Sequence, residues 1–228
     1  MIFALVHGAW HGGWCFERLV AELERRGHTA VAPDLPCEDR AAGFADYADV
    51  VVGALDGAGD DVVVVGHSLG GLTIPLVAAQ RPVRRLVYLC ALLPAVGKSF
   101  VAQLDGGEQM LDPDYGAGVK RDEEGRSFWA DEDLARHHFY ADCDAADAHA
   151  AFARLRPQAA DRYGEAFALD TPMPVPASYV VCTDDRMVVP DWSRTAARER
   201  LGVEPVELPG GHSPFLSRPA ALADVLVG

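Results

Sequence analysis

The sequence predicts an α/β fold, in which a doubly wound, mostly parallel sheet of about six strands carries helices on both faces. Short apolar runs alternate with helical patterns along the chain, as βα units require. The runs are continuously apolar rather than alternating, which is typical of parallel strands covered on both sides. The length of 228 residues suits a single domain with an insertion.

The apolar runs are interpreted as strands at 2–6, 28–35, 61–66, 84–94, 177–183 and 203–208. Helices are predicted at 16–27, at 44–55, after Ser68, at about 191–201 and within 217–227. Gly27 stands where a helix C-cap is expected, and Pro75 predicts a local kink in the helix after Ser68. In such a sheet the ligand site lies outside the carboxyl ends of the strands, so candidate residues are sought there.

Residues 94–176 break the alternation and contain no clear strand. A charged loop followed by helices is predicted, closed by the proline-rich stretch at 171–176. We therefore predict a core formed by residues 1–93 and 177–228, with residues 94–176 as a helical cap or lid over the strand ends. The alternative is an ordinary peripheral subdomain.

The composition excludes some classes of binding partner and indicates a cellular compartment. A formal net charge of -14 argues against binding to nucleic acid or to an anionic membrane surface. The five cysteines are odd in number and form no CxxC pair, which favours a reduced, intracellular protein, most simply a cytoplasmic one. The apolar stretch at the N-terminus is too short to span a bilayer and is interpreted as the first strand.

A candidate nucleophile follows the strand of four valines. Gly66-His67-Ser68-Leu69-Gly70 is a G-x-S-x-G motif between a predicted strand and a predicted helix. In a nucleophile elbow the glycines make room for a strained turn that exposes the serine hydroxyl. A simple turn is the alternative interpretation, but the strand–turn–helix context favours Ser68 as nucleophile.

A base and an acid are expected at the ends of later strands, in the order serine, acid, histidine. His212 lies in the glycine-rich loop after residues 203–208 and is the predicted base. Asp184 and Asp185 both follow the strand at 177–183. Asp185 is preferred for its place directly before the stretch at 186–190, and Asp184 stays open as the alternative.

An oxyanion hole is expected from two backbone N–H groups. Leu69 follows the nucleophile, and Ala9 lies in the loop after the first strand. His7 and His11 have the i, i+4 spacing of a metal pair, but their segment is a glycine-rich loop without an acidic ligand. Both are therefore interpreted as structural, and no metal or cofactor is predicted.

Aromatic residues offer a candidate substrate pocket. Trp10 follows the first strand, and Phe128 and Trp129 lie in the predicted cap. Packing within the cap is the alternative interpretation for these side chains.

With these residues assembled, the chain resembles the α/β-hydrolase superfamily, and within it the methylesterase and hydroxynitrile-lyase group with its bacterial esterase relatives. The resemblance covers nearly the whole chain and rests on five stretches: VHGAWHGGWCFERLVAELERRGHTAVAPDL, GHSLGG, LVYLCALLP, YVVCTDDRMVVP and PGGHSPF. It implies a triad of Ser68, Asp185 and His212, oxyanion donors at Ala9 and Leu69, and a fold without the first two of the usual eight strands. A homodimer is a further family expectation.

Two departures from the lyases of this group bear on the chemistry. Those lyases have Thr where this chain has Gly8, and a Lys directly after the histidine, where this chain has Ser213. Since that Lys holds the departing cyanide, the resemblance implies hydrolysis of a small carboxylic ester rather than lyase chemistry. A lyase or carbon–carbon hydrolase on the same triad, and a non-catalytic small-molecule receptor on a hydrolase fold, are the alternatives.

Overall fold

A computed structural model gives the fold for residues 1–167, 169 and 175–228. Part of the predicted proline-rich stretch, 171–174, lies outside the described residues. The central sheet has six strands in the spatial order β2-β1-β3-β4-β7-β8, and all neighbouring pairs are parallel. These strands are β1 (Ile2–Val6), β2 (Thr29–Val31), β3 (Val62–His67), β4 (Arg85–Leu89), β7 (Ala177–Cys182) and β8 (Val206–Leu208). The predicted fold class is therefore confirmed.

Helices cover both faces of this sheet. Residues on successive positions of a strand point to opposite faces. Thus Val63 and Val65 pack with α1 (Glu17–Arg25), α8 (Pro214–Ser217) and α9 (Pro219–Val227). Val62 and Val64 pack in a second core with α2 (Phe44–Ala54), α3 (Ile74–Gln80) and α7 (Pro190–Ala196). Burial on both faces explains why the strand at 62–65 is apolar at every position.

The predicted elements are present, and several are shorter than expected. β2 covers three residues of the run at 28–35, and β8 begins only after Pro205, which has no N–H to offer a neighbouring strand. Gly27 does follow α1 in the left-handed region, with φ of 80°. The predicted kink at Pro75 is wrong. A 3-10 turn at Ser68–Leu72 ends first, and α3 begins afresh at Ile74, so Pro75 lies in a first helical turn where its missing N–H costs nothing.

The described part of the inserted segment, residues 94–176, contains short helices and a hairpin. The helices are α4 (Phe100–Leu104), α5 (Glu132–Phe139) and α6 (Ala145–Phe152). The expectation of no strand is wrong, because β5 (Val119–Arg121) and β6 (Ser127–Trp129) pair antiparallel. Each strand has three residues, too few to show an alternating pattern in a charged sequence. The connecting turn is held by Asp122 Oδ1, which accepts from the backbone N–H groups of Glu124 and Arg126.

The inserted segment has its own small core, which also takes in residues from outside the segment. Trp129, Phe139 and Tyr140 are buried together with Trp10 from the loop after β1 and Met187 from the loop after β7. The segment therefore packs against loops at the carboxyl ends of the strands. None of the helices in the described parts of the chain has the length and apolar character needed to cross a bilayer.

Candidate active site

Ser68 lies at the turn from β3 into the 3-10 helix and has a strained backbone. Its φ is 53°, in the left-handed region that costs an L residue roughly 1–2 kcal/mol. The turn folds tightly, since a Cβ added at Gly70 would lie 2.6 Å from the carbonyl oxygen of Val6. The serine is 8% exposed. This is the backbone conformation expected of a nucleophile elbow.

His212 and Asp185 form a buried hydrogen-bonded pair. His212 Nδ1 lies 2.8 Å from Asp185 Oδ2, and both side chains are almost fully buried. Because an ionised carboxylate only accepts, Nδ1 carries the proton and Nε2 presents a lone pair. Within the described residues His212 Nε2 has no hydrogen-bond partner. The arrangement therefore leaves one imidazole nitrogen available as a proton acceptor.

The two adjacent aspartates have different surroundings. Asp185 Oδ1 accepts from the backbone N–H groups of Met187 and Val188 at 2.8 and 3.0 Å, which holds the carboxylate toward His212. Asp184 is exposed, and its Oδ2 accepts from Gly210 N–H at 3.2 Å and from the hydroxyl of Thr183 at 3.1 Å. The structure thus brings Asp185 against His212, while Asp184 fastens the loop that precedes the histidine.

His67 also belongs to the site, although the sequence analysis gave it no role. Its Nε2–H donates to the backbone carbonyl of His212 at 2.9 Å, and the two rings lie 4.5 Å apart. Burial lowers the pKa of His67 well below its usual value, so the ring is neutral. Since His67 directly precedes Ser68, this bond ties the elbow to the histidine loop. In the sequence His67 stands at the first x of the G-x-S-x-G motif, a position that the motif leaves open to any residue.

The loop after β1 carries Ala9 and is held by His7. His7 Nε2 accepts from Leu35 N–H at 3.0 Å, so its Nδ1–H donates to the Gly8 carbonyl at 2.9 Å. That carbonyl belongs to the same peptide group as the Ala9 N–H, and the bond therefore fixes the plane of the predicted oxyanion donor. Burial lowers the pKa of His7 to about 4, which keeps the ring neutral. The second predicted donor, Leu69, is buried directly after Ser68.

Neither His7 nor His11 is available for a metal. His11 Nδ1 lies 2.8 Å from the Ala9 carbonyl, and its Nε2 lies 2.9 Å from the hydroxyl of Tyr140. With the two bonds of His7, all four ring nitrogens contact protein groups. The structural interpretation of both histidines fits these contacts.

Cys90 is a further neighbour of the pair. Its thiol, the carboxylate of Asp185 and the imidazole of His212 present ligand atoms within 4.8 Å of one another. Burial raises the pKa of the Cys90 thiol well above its usual value, so the sulfur is protonated, and the other two groups already bind each other. This cluster is therefore best described as a hydrogen-bonded pair with a thiol beside it.

The three candidate pocket residues do not share one surface. Trp10 and Trp129 pack edge to face at 5.8 Å, and Phe139 joins them at 6.1 and 4.8 Å. Phe128 precedes Trp129 on β6, so its side chain points to the opposite face and is half-buried. A cavity of about 670 Å³ lies elsewhere, between α3 and residues 199–203, and neither Ser68, His212 nor Asp185 lines it.

Comparison with known proteins identifies the family of this chain. A sequence model described as "Alpha/beta hydrolase family" matches residues 3–225. The chain belongs to the alpha/beta hydrolase family. The predicted resemblance is thereby confirmed at the level of the family.

Several relatives of this chain are named esterases or methylesterases. The "Probable esterase PIR7A" of Oryza sativa subsp. indica is 36% identical over 124 residues, which span 50% of this chain and 47% of that protein. This chain thus matches only about half the length of that relative. "Methylesterase 2" of Arabidopsis thaliana is 27% identical over 99% of this chain and 94% of its own length. These names agree with the predicted methylesterase-like group.

A solved structure resembles nearly the whole chain. The crystal structure of the pyrethroid hydrolase PytH has a TM-score of 0.81 and 26% identity, and it aligns over 99% of this chain and 95% of the other. The similarity to this structure therefore extends over nearly the whole of both chains.

Proposed function

We propose that the protein is a serine hydrolase that cleaves a small carboxylic ester through an acyl-enzyme. One observation carries the proposal. Asp185 fixes His212 with no hydrogen-bond partner on Nε2 among the described residues, and His67 ties the backbone carbonyl of His212 to the strained turn that presents Ser68. Members of the family with esterase names support the same reaction class.

The reaction proceeds in two halves. Ser68 Oγ attacks the ester carbonyl while His212 Nε2 takes its proton, and the imidazolium then gives that proton to the departing alcohol. Water repeats the sequence on the acyl-enzyme and releases the acid. Asp185 holds the imidazole tautomer and stabilises its charged form. The N–H groups of Ala9 and Leu69 stabilise the oxyanion, each by about 3 kcal/mol in the transition state.

We further propose that residues 94–176 act as a cap over this site. Trp129 and Phe139 of the segment pack on Trp10, next to Ala9, and Phe139 lies 5.8 Å from the ring of His212. Apolar, aromatic surroundings favour a small, largely apolar ester as substrate.

The acidic net charge argues against nucleic acid and anionic membranes as partners. The five buried, unpaired cysteines support a reducing, cytoplasmic location.

Lyase chemistry on the same triad is less well supported. A Cβ at position 8 would lie 2.7 Å from the Cβ of Ser68, so the backbone here leaves no room for the Thr of the related lyases. Ser213 is fully buried, and its hydroxyl carries no positive charge that could hold a cyanide ion. A receptor without turnover is the other alternative, and it predicts saturable binding without product.

Hydrolysis of short p-nitrophenyl esters by the wild type and by Ser68→Ala tests the proposal. We expect turnover by the wild type, its loss in the variant, and labelling of the wild type alone by a fluorophosphonate. Equal rates for the two proteins would exclude Ser68 as nucleophile. Mandelonitrile cleavage exceeding ester hydrolysis would instead favour the lyase, and binding without turnover across an ester panel would favour the receptor.

A further inference from the structure

The peptide group between Ala9 and Trp10 is held at both of its polar atoms. Its carbonyl oxygen lies 2.8 Å from His11 Nδ1, and its N–H lies 3.3 Å from Gln158 Oε1. Trp10 has φ of 62°, a conformation that a bulky L residue adopts only when its surroundings impose it. The loop that carries the Ala9 N–H is therefore shaped by contacts outside itself.

Most of these contacts come from the inserted segment. Besides Gln158, the backbone N–H of Arg156 donates to the Trp10 carbonyl at 2.7 Å, and the Trp10 indole N–H donates to Ser127 Oγ at 3.0 Å. Gln158 is itself buried, and its amide nitrogen contacts the hydroxyl of Tyr47 at 3.1 Å. The segment thus binds Trp10 through its N–H, its carbonyl and its side chain.

Tyr140, at the end of α5, reaches the same peptide group through His11. The Ala9 carbonyl can only accept, so His11 Nδ1 carries the hydrogen and His11 Nε2 must accept from the Tyr140 hydroxyl, at 2.9 Å. Both side chains are buried. Burial also lowers the pKa of His11 to about 3, so the ring keeps its acceptor nitrogen at neutral pH.

We propose that Tyr140 is a positioning residue for the oxyanion hole, acting through His11 on the Ala9 carbonyl. His7 holds the peptide group before Ala9, and His11 with Gln158 holds the one after it. The Ala9 N–H lies in the first of these peptide planes, and the fixed second plane limits rotation of Ala9 relative to it. The inserted segment thereby completes the oxyanion hole as well as covering it. This inference rests on the proposed ester hydrolysis at Ser68.

Tyr140→Phe tests the inference by removing one hydroxyl and little volume. We expect kcat for a p-nitrophenyl ester to fall about tenfold with KM changed less than twofold, because a displaced oxyanion donor weakens the transition state alone. Tyr115→Phe is the matched control, since Tyr115 lies in the same segment and its hydroxyl makes no hydrogen bond within the described residues. An unchanged kcat in Tyr140→Phe would overturn the inference.

A double-mutant cycle with His11→Asn separates positioning from packing. The Asn side-chain amide always carries N–H donors, so it can donate to the Ala9 carbonyl without the Tyr140 hydroxyl that fixes the tautomer of His11. Tyr140→Phe should then cost less than twofold in the His11→Asn background. An equal loss in both backgrounds would assign Tyr140 a packing role and overturn the inference.

Variants of His11 and Ser68 distinguish failure of this inference from misfolding and from failure of the proposed function. If Tyr140→Phe does not fold, His11→Asn should retain at least tenfold more activity than His11→Ala, and equal activities would contradict the positioning role. Ser68→Ala is assayed beside them. An inactive Ser68→Ala with a fully active Tyr140→Phe overturns only this inference, whereas an active Ser68→Ala overturns the proposed function itself.

Discussion

Gly8 and Ser68 approach so closely that a Cβ added to Gly8 would lie 2.7 Å from the Cβ of Ser68. Real Cβ atoms do not come so near to another carbon, so a side chain at position 8 must displace the elbow or the loop that carries Ala9. Gly8 directly precedes Ala9, whose N–H is the proposed oxyanion donor. The lack of a side chain at residue 8 is therefore part of how the site is assembled.

Gly8→Ala is expected to lower kcat/KM for ester hydrolysis by at least about 100-fold, because a displacement near 1 Å at the reacting atoms has that effect. Gly53→Ala is the matched control. Gly53 lies on the exposed face of α2 with nothing within 4 Å of an added Cβ, so the substitution should keep full activity and stabilise the fold by about 0.5–1 kcal/mol. Kinetics and urea unfolding measure both. Wild-type kinetics in Gly8→Ala would contradict the tight contact.

The adjacent aspartates allow an equally close comparison. Asp185→Asn should lower kcat by about 10⁴-fold, because the amide can force the wrong imidazole tautomer on His212. Asp184→Asn removes the same charge from the preceding residue, which is exposed and contacts Thr183 and Gly210. It should cost less than about tenfold. Steady-state kinetics of the two variants decide the assignment, and the reverse order of effects would give the role to Asp184.

Much of this site could be predicted from sequence because its parts stand at fixed points of chain order. Ser68 follows a strand that is apolar at every position, and His212 and Asp185 follow later strands, so the parallel topology alone brings them to one edge. The preference for Asp185 over Asp184 was weaker, because adjacent residues in a loop share their sequence context. In the structure Asp185 is buried against His212 and accepts from Met187 and Val188, whereas Asp184 is exposed.

The contacts that sequence reasoning missed join residues far apart in the chain and have no local signature. Tyr140 and His11 are 129 positions apart, and His67 contacts a backbone carbonyl 145 positions away. The hairpin of β5 and β6 was missed for a different reason. Each strand has only three residues, and the hairpin is fixed by a turn in which Asp122 binds the backbone, so no periodic pattern could reveal it.

Stability should fall on mild acidification because of the buried histidines. Burial lowers the pKa of His7 to about 4 and that of His11 to about 3, whereas an unfolded histidine titrates near 6.5. Between these values the unfolded chain binds protons that the native state does not. Above about pH 6.5 the two histidines leave the free energy of unfolding almost unchanged. By pH 5 each of them lowers it by about 2 kcal/mol.

Urea unfolding at pH 7.5 and at pH 5.0 measures this loss. His7→Asn should reduce the difference between the two pH values by about 2 kcal/mol, even if it lowers stability at both. His149→Asn makes the same change at an exposed histidine and is the comparison variant. If His7→Asn leaves the difference at its wild-type value, His7 is not the buried neutral group described here.

Strain at the elbow should be measurable as stability. Ser68 has φ of 53°, where an L residue is disfavoured by roughly 1–2 kcal/mol and glycine is not. Ser68→Gly and Ser68→Ala both remove the hydroxyl, so the difference in stability between the two variants reports on the backbone. At an ordinary position glycine is the less stable by about 0.5–1 kcal/mol. Here we expect Ser68→Gly to be at least as stable as Ser68→Ala in urea unfolding. A glycine variant less stable by the ordinary amount would show that the turn stores no strain.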